Sequence, residues 1–230
     1  MSAPAEPDTG APRADPAAAV PRRGRPAAGY AIVLPPGWRG IPVRHGTAEA
    51  IKKILDEVFG RLGKGQSRDA LVRHRIELER RLTAMADRAR EKSGIDLYLP
   101  VEYVHGTAVP ASFVISAGTD GAAGPADPAR PGDPAEVVAF LLSGQDGARE
   151  VAVDGAIGVR TEHVAGPDAD AEIPVGSRRV DYAVAMPGRP GQWLIAVFST
   201  LGNGDPDGEY ARILVDLFDA MMSTFRWTWE

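Results

Sequence analysis

The hydrophobic pattern is clearest over the last fifty residues, where it predicts two strands followed by a helix. Val180, Tyr182 and Val184 alternate with small or polar residues, which is the spacing of a strand that packs on one face. The run 192–200 is almost continuously apolar, as in a central strand that is covered on both faces. Apolar residues then recur at the spacing of one helical face over 210–225. The two strands are predicted to form an antiparallel hairpin, with the helix lying on their sheet.

Similar patterns predict the elements that come earlier in the chain. Asp133, Pro134 and Glu136 together have the pattern of a helix start. They supply, in that order, the N-cap, a proline at the first helical position and an acid at the third. Asp154-Gly155 separates two apolar runs and is the strongest signal for a two-residue hairpin. The predicted elements are helices at 47–62, 67–93 and 134–143, and strands at 29–34, 94–104, 110–116, 149–153 and 156–164.

The order of these elements predicts the fold class. Hairpin-linked strands occur in runs, with helices grouped between them, which is typical of an α+β fold with a mainly antiparallel β-sheet and helices packed on it. The 230 residues, of which 44% are hydrophobic, can bury one substantial core. We therefore expect a single domain at 29–230 with a flexible loop at 117–133. The Ala/Pro-rich residues 1–28 are predicted to be a disordered arm.

Composition argues against several classes of protein. The formal net charge of −5 is unlike that of a general nucleic-acid binder, which is usually basic. The chain has no cysteine, so disulfides and thiolate metal sites are excluded. No apolar run approaches the ~18 residues that a membrane span requires, so membrane insertion is not expected. These observations favour a cytoplasmic location and no nucleic-acid partner.

Charge is unevenly distributed along the chain. Between Arg61 and Lys92 there are ten Lys or Arg and five Asp or Glu, so this region is net +5 while the remainder is net −10. Two interpretations stay open: a solvated helical face, or a contact surface for an acidic partner. Alternate aromatic residues at the C-terminus are open to a similar choice between packing and partner contact. The candidate partner-binding residues are Arg73, Arg80, Arg81, Trp227 and Trp229.

The chain shows no pattern typical of a catalytic, metal or cofactor site. Its histidines occur singly, without the paired spacing of a zinc helix. The loop 203–208 is similar to the first half of a calcium loop, but Leu214 stands where a bidentate glutamate is required. We expect Asp205 or Asp207 to cap the last helix instead. No catalytic residue, metal ligand or cofactor is therefore predicted.

Several segments together resemble a known superfamily. These are Leu34-Pro-Pro-Gly-Trp38, the strand that begins at Trp193, the acidic loop after it, and a closing helix that reaches Trp227. They resemble the PsbP-like α/β/α sandwich proteins, among which similar actinobacterial members include small lipoproteins of the LpqN type. The resemblance implies a mostly non-catalytic scaffold whose relatives are assembly factors, small-GTPase binders or chaperones of secreted toxins. This chain lacks the lipobox cysteine of those lipoproteins.

Two functional hypotheses follow from these observations. The first is a non-catalytic protein-binding module, an adaptor or a chaperone-like factor associated with a secretion or toxin-delivery system. Its partner would be another protein, such as a secreted effector or a secretion component. The alternative is a hydrolase whose site forms only in three dimensions around Glu102, His105 or His163. A histidine within hydrogen-bond reach of a carboxylate and a nucleophile would favour the hydrolase.

Overall fold

A computed structural model describes residues 25–61, 68–102, 108–120, 132–144, 147–167 and 175–229. Residues 1–24 of the predicted arm, most of the predicted loop at 117–133, and His105 lie outside these ranges. The strands are β1 Ala27–Ala31, β2 Trp38–Pro42, β3 Gly94–Pro100, β4 Ala111–Thr119, β5 Arg149–Val153, β6 Ala156–Ala165, β7 Ser177–Ala185, β8 Gln192–Thr200 and β9 Arg226–Trp229. The helices of the described residues are α1 Thr47–Arg61, α2 Arg68–Glu91, α3 Pro134–Gly144 and α4 Glu209–Ser223, with a 3-10 turn at Gly202–Gly204.

Seven of these strands form one antiparallel sheet in the order β2-β3-β4-β8-β7-β6-β5. β7 and β8 are the predicted antiparallel hairpin, in which Val184 pairs with Leu194. The turn between β5 and β6 has φ values of 47° at Asp154 and 79° at Gly155, as a tight two-residue hairpin requires. The prediction of an α+β fold with a mainly antiparallel sheet is confirmed.

Helices cover both faces of this sheet. α4 packs on one face through buried residues that include Leu214 and Phe218. On the opposite face, α1 and α2 pack over β2 and β3, and α3 packs over β6, β7 and β8. On β8, Leu194 faces α4 whereas its neighbours Trp193 and Ile195 face α3. The apolar run in β8 is thus covered on both sides, as its sequence predicts.

β1 and β9 form a separate two-stranded sheet beside α4. Tyr30 pairs with Trp227 across it, and the ring of Tyr30 stacks on Phe225 at 5.4 Å between centroids. β1 begins at Ala27, which is buried and whose N–H donates to the carbonyl of Pro187 at 2.9 Å. The first strand therefore lies nearer the N-terminus than predicted, and the last two residues assigned to the arm belong to it. The local sequence is Ala/Pro-rich and has no periodicity that could show this pairing.

A chain of ion pairs joins the sheet to α4, and we call it the ionic chain. Asp219 of α4 accepts hydrogen bonds from Arg160 Nε at 2.9 Å and from the Tyr182 hydroxyl at 2.7 Å. Glu162 accepts from Arg160 Nη2 at 2.8 Å and from Arg178 Nε at 2.7 Å. Burial by itself would lower the pKa of Arg160, but the hydrogen bonds to the two carboxylates raise it above its ordinary value. Arg160 therefore stays charged inside the fold.

Of the two predicted helix caps, the structure confirms one and contradicts the other. Asp133 caps α3 as predicted, because its Oδ1 accepts from the N–H of Ala135 at 3.1 Å. The prediction that Asp205 or Asp207 caps α4 is wrong. The N-cap residue is Gly208, and the N-terminus of α4 has no side-chain cap hydrogen bond. Asp205 Oδ1 instead accepts from the N–H of Asp207 within the loop, at 3.1 Å. A short acidic side chain satisfies the nearest free amide, which here belongs to the turn rather than to the helix.

Candidate binding site

The sheet face that carries α2 and α3 also includes polar positions. On β7, Val180 and Tyr182 pack towards α4, so Arg179 and Asp181 between them face the opposite side. On that side Ala183 still packs with α3. Arg179 and Asp181 belong to none of the apolar clusters formed by the described residues. The alternation of β7 thus places two charged, partly buried side chains on the side of the sheet that also packs with α3.

Cross-strand pairing gathers other polar side chains around these two. His163 on β6 pairs with Arg179, Arg179 pairs with Ser199 on β8, and Ser199 pairs with Ser112 on β4. Residues that pair directly across strands lie on the same side of a sheet, with their Cβ atoms roughly 4.5–5.5 Å apart. We call this polar surface the open face; it consists of Ser112, Thr161, His163, Arg179, Asp181 and Ser199.

The charged pair on the open face is incompletely hydrogen bonded. Burial raises the pKa of Asp181 above its ordinary value, although the nearby Arg179 and His163 partly offset this rise. The Arg179 Nη2 atom lies 4.0 Å from Asp181 Oδ1, which is too far for a hydrogen bond. Arg179 Nε and Asp181 Oδ1 are both buried without a hydrogen-bond partner. A buried polar group without a partner costs about 1–3 kcal/mol, so the fold retains a destabilising pair here.

Replacing Asp181 with asparagine is expected to raise the free energy of unfolding by about 1 kcal/mol at neutral pH, because the unpartnered charge is removed. The pKa of Asp181 is raised in the folded state, so wild-type stability falls as the pH rises through that value. The gain in the variant should therefore vanish below the unfolded pKa of about 3.9. Urea unfolding at several pH values measures it.

The matched control for this prediction is Asp216→Asn, because Asp216 is exposed on α4 on the far side of the sheet. We expect it to change the free energy of unfolding by less than about 0.5 kcal/mol at any pH. A loss of stability in D181N at neutral pH would contradict the prediction. It would show that the Asp181 carboxylate is stabilised by a bond.

An apolar groove of about 330 Å³ adjoins the open face. Ser112 and Ser199 belong both to the open face and to the lining of the groove, so the two adjoin there. A second cavity, of about 300 Å³, lies between the helices α1 and α2 and the end of β3, and shares Leu99 and Val109 with the groove. The apolar side chains that line the groove include Met85, Leu99, Val109 and Leu201. Together these features join a polar sheet surface to an apolar space beneath α2.

The predicted arginines lie on α2. Arg73 is exposed, next to the exposed apolar side chains of Val72 and Ile76. Arg80 and Arg81 donate to Glu77 at 2.9 and 2.6 Å, and these bonds, Arg80 first, lower the pKa of Glu77 to about 2. The three arginines stay predicted partner contacts on the outer surface of this helix.

The two C-terminal tryptophans differ in exposure. Trp227 is 4% exposed and packs edge-on against Phe225 at 5.0 Å between ring centroids. It is therefore part of the core and not an exposed anchor, because the pairing of β9 with β1 turns its indole inwards. Trp229 is only partly buried, so it stays a candidate contact.

Two of the three residues named for the alternative hydrolase, Glu102 and His163, lie apart in the structure, and the third, His105, lies outside the described residues. Glu102 forms an ion pair with Arg61 beyond the end of β3. His163 lies on β6, and three strands of the sheet separate β6 from β3. Within the described ranges, no group of three or more His, Asp or Glu residues is arranged to hold a metal ion. In the same ranges no helix is both long and apolar enough to cross a bilayer.

Arg179, Asp181, Ser112 and Ser199 were not identified from the sequence as site residues. One signal was present: β8 is apolar at successive positions, whereas β7, its hairpin partner, carries the charged residues Arg178, Arg179 and Asp181. Because Arg179 and Asp181 are two positions apart, they share one side of the strand, which the sequence therefore marks as partly polar. The contribution of Ser112 depends on the pairing of β4 with β8, which joins Ser112 to Ser199, 87 positions later in the chain.

No protein-family model matches the sequence. No curated protein shows significant similarity to it. The function must therefore be inferred from the chemistry of the site, because a fold by itself does not specify one.

Proposed function

We propose that the protein is a non-catalytic binding module, adaptor-like or chaperone-like, that holds a segment of a partner protein on the open face and in the groove. The observation that carries the proposal is the groove, an apolar space of about 330 Å³ that opens onto polar sheet surface. Binding sites commonly combine apolar walls with a few polar groups that orient the ligand. Here the apolar walls include Met85 of α2, Leu99 of β3, Val109 and Leu201, and the polar groups of the lining come from β4 and β8, the latter paired with β7.

The groove suits an apolar side chain of the partner. Met85 and Leu99 form part of its wall, and Leu201 at its edge is 37% exposed. Burying one leucine or phenylalanine side chain in such a space yields roughly 1.5–3 kcal/mol. Aromatic and aliphatic anchors that enter pockets supply much of the energy of protein interfaces. The proposed partner segment therefore carries an apolar anchor residue.

Two further features are consistent with a protein partner. Arg73 on the outer face of α2, beside Val72 and Ile76, offers a basic and apolar contact for an acidic partner surface. The resemblance to PsbP-like proteins supports an adaptor or chaperone role, with a secreted effector or a secretion component as the partner. A cytoplasmic location is part of this proposal.

Filling the groove is expected to abolish partner binding. In Ser199→Trp a large side chain occupies the groove from its sheet side, where Ser199 lines it. The tagged full-length protein is used to capture proteins from its native host, and the captured polypeptide is then purified. Its affinity for the wild type and for the variant is measured by calorimetry. We expect S199W to bind at least about tenfold more weakly, a loss of about 1.4 kcal/mol.

The matched control is Ile213→Trp. Ile213 is 54% exposed on α4, on the opposite side of the sheet, so this variant adds an indole without entering the groove. It should bind the partner as the wild type does, and circular dichroism should show that both variants are folded. Equal affinity of folded S199W and wild type would overturn the proposal, as would the absence of any stoichiometric partner.

A further inference from the structure

Three buried side-chain atoms in the described residues have no hydrogen-bond partner, and two of them lie together on the open face. These two are Arg179 Nε, a donor, and Asp181 Oδ1, an acceptor. They belong to alternate residues of β7, so their side chains leave the strand on the same side. With 4.0 Å between Arg179 Nη2 and Asp181 Oδ1, the two side chains do not satisfy each other.

On the opposite face of the sheet, by contrast, the arginines have carboxylate hydrogen-bond partners. Arg160 and Arg178 there donate to Glu162 and Asp219 at 2.7–2.9 Å in the ionic chain. The unsatisfied pair lies on the side of the sheet to which Ser199 of the groove also belongs, and the side chains of Arg179 and Asp181 are 40% and 30% exposed, so a ligand can contact them. Buried donors and acceptors are almost always paired in folded proteins, so a ligand that supplies both a donor and an acceptor would gain two hydrogen bonds here.

The geometry points to an amide group of the partner polypeptide as the ligand of this pair, an inference that rests on the proposed function. The Asp181 carboxylate would accept the amide N–H, and Arg179 Nε would donate to the amide carbonyl. A carboxylate or phosphate ligand would satisfy Arg179 but would also lie against the Asp181 charge. An ammonium ligand would satisfy Asp181 but would lie against the positive charge of Arg179. A neutral primary amide presents an N–H and a carbonyl oxygen side by side, as do the N–H and C=O of one residue in an extended segment, and neither ligand meets a repulsion.

The position of the pair also constrains the partner segment. Ser199 pairs directly with Arg179 across the strands and belongs to the lining of the groove. An extended segment whose amide binds Arg179 and Asp181 would therefore reach the groove with a neighbouring apolar side chain. The amide comes either from the main chain of that segment or from an asparagine or glutamine side chain.

Small amides test the inference on the full-length protein. N-acetylglycine N-methylamide represents a main-chain segment, whose central N–H and C=O point to one side when it is extended; propionamide represents an Asn or Gln side chain, and propionate and propylammonium are the charged counterparts. Each is titrated into isotope-labelled protein, and NMR follows the Arg179 Nε–H signal, the Asp181 carboxyl carbon and the backbone amides of 178–182. We expect saturable shifts with dissociation constants in the millimolar range, about −4 kcal/mol or weaker, for at least one amide. The amide that binds more tightly identifies the source.

Variants make the test specific. Arg179→Lys keeps the positive charge and removes the Nε donor, so it should weaken amide binding at least about tenfold as read from the backbone amides. Asp216→Asn should leave it unchanged. Tighter binding of propionate than of propionamide would overturn the inference, because the site would then be an anion site. Shifts that do not saturate, or that persist unchanged in R179K, would overturn it as well.

The two proposals can fail separately. If S199W loses the partner but no amide binds to Arg179 and Asp181, the binding-module proposal stands and the amide inference falls. If amides bind but S199W keeps full affinity for the partner, the site exists and the proposed function of the groove is wrong.

Discussion

Replacing Asp219 with alanine is expected to lower the free energy of unfolding by about 3 kcal/mol, because it leaves a buried charge with one partner fewer. The side chain of Arg160 is 5% exposed and donates to Asp219, which also accepts from the Tyr182 hydroxyl at 2.7 Å and from Arg149 Nη2 at 3.5 Å. The remaining bond from Arg160 to Glu162 keeps the loss at the lower end of the range for broken buried pairs. Urea unfolding at neutral pH measures the change.

The control for this prediction lies on the same helix. Asp216→Ala removes an exposed carboxylate one turn earlier on α4, and it should change the free energy of unfolding by less than about 0.5 kcal/mol. A double variant, Asp219→Ala with Tyr182→Phe, should cost less than the two single changes added together, because both lose the same hydrogen bond. A loss below about 1 kcal/mol in D219A would show that water replaces the carboxylate around Arg160.

Phe218→Ala is expected to be the most destabilising single truncation on α4, with a loss of about 3–5 kcal/mol. Phe218 is fully buried at the centre of the packing between α4 and the sheet. Its ring lies 4.9 Å from Phe198 and 5.3 Å from Phe113 between centroids, so three aromatic rings from α4, β8 and β4 meet there. Alanine would leave a cavity that neighbouring rings, each fixed on its own strand, cannot close.

The measurement for F218A is urea or thermal unfolding followed by circular dichroism. Ile213→Ala is the comparison on the same helix, because Ile213 is 54% exposed and its truncation removes little buried surface. It should cost less than about 0.5 kcal/mol. A cost below about 2 kcal/mol for F218A would mean that α4 moves to fill the cavity.

These two variants act on the face that carries α4, whereas the proposed binding site lies on the other face of the sheet. Partner binding should therefore depend on Ser199, Arg179 and Asp181, and stability should depend most strongly on Asp219 and Phe218. Successive residues of β7 belong to the two sets in turn, Tyr182 to the ionic chain and Asp181 to the open face. Because successive side chains leave a strand on opposite sides, β7 contributes to both the stabilising face and the binding face.

The elements themselves could be predicted because their signals are local. The alternation of Val180, Tyr182 and Val184 indicates a strand wherever that strand lies in the sheet. Asp133 caps α3 because the amides it bonds are its near neighbours in the chain. Asp154 and Gly155 adopt the positive φ values of a tight hairpin for the same local reason. The hairpin of β7 and β8 and the amphipathic α4 are of this kind.

The sequence by itself thus determined the fold class, most element positions and the side of the strand on which each residue lies. Only the tertiary structure decided which strands adjoin and what covers each side. The pairing of β1 with β9 buries Trp227, and the pairing of β4 with β8 brings Ser112 to Ser199. On β7, Ala183 packs with α3, whereas Arg179 Nε and Asp181 Oδ1 on the same side are buried without a hydrogen-bond partner. Periodicity reports which way a side chain points, but the partners it meets come from distant parts of the chain.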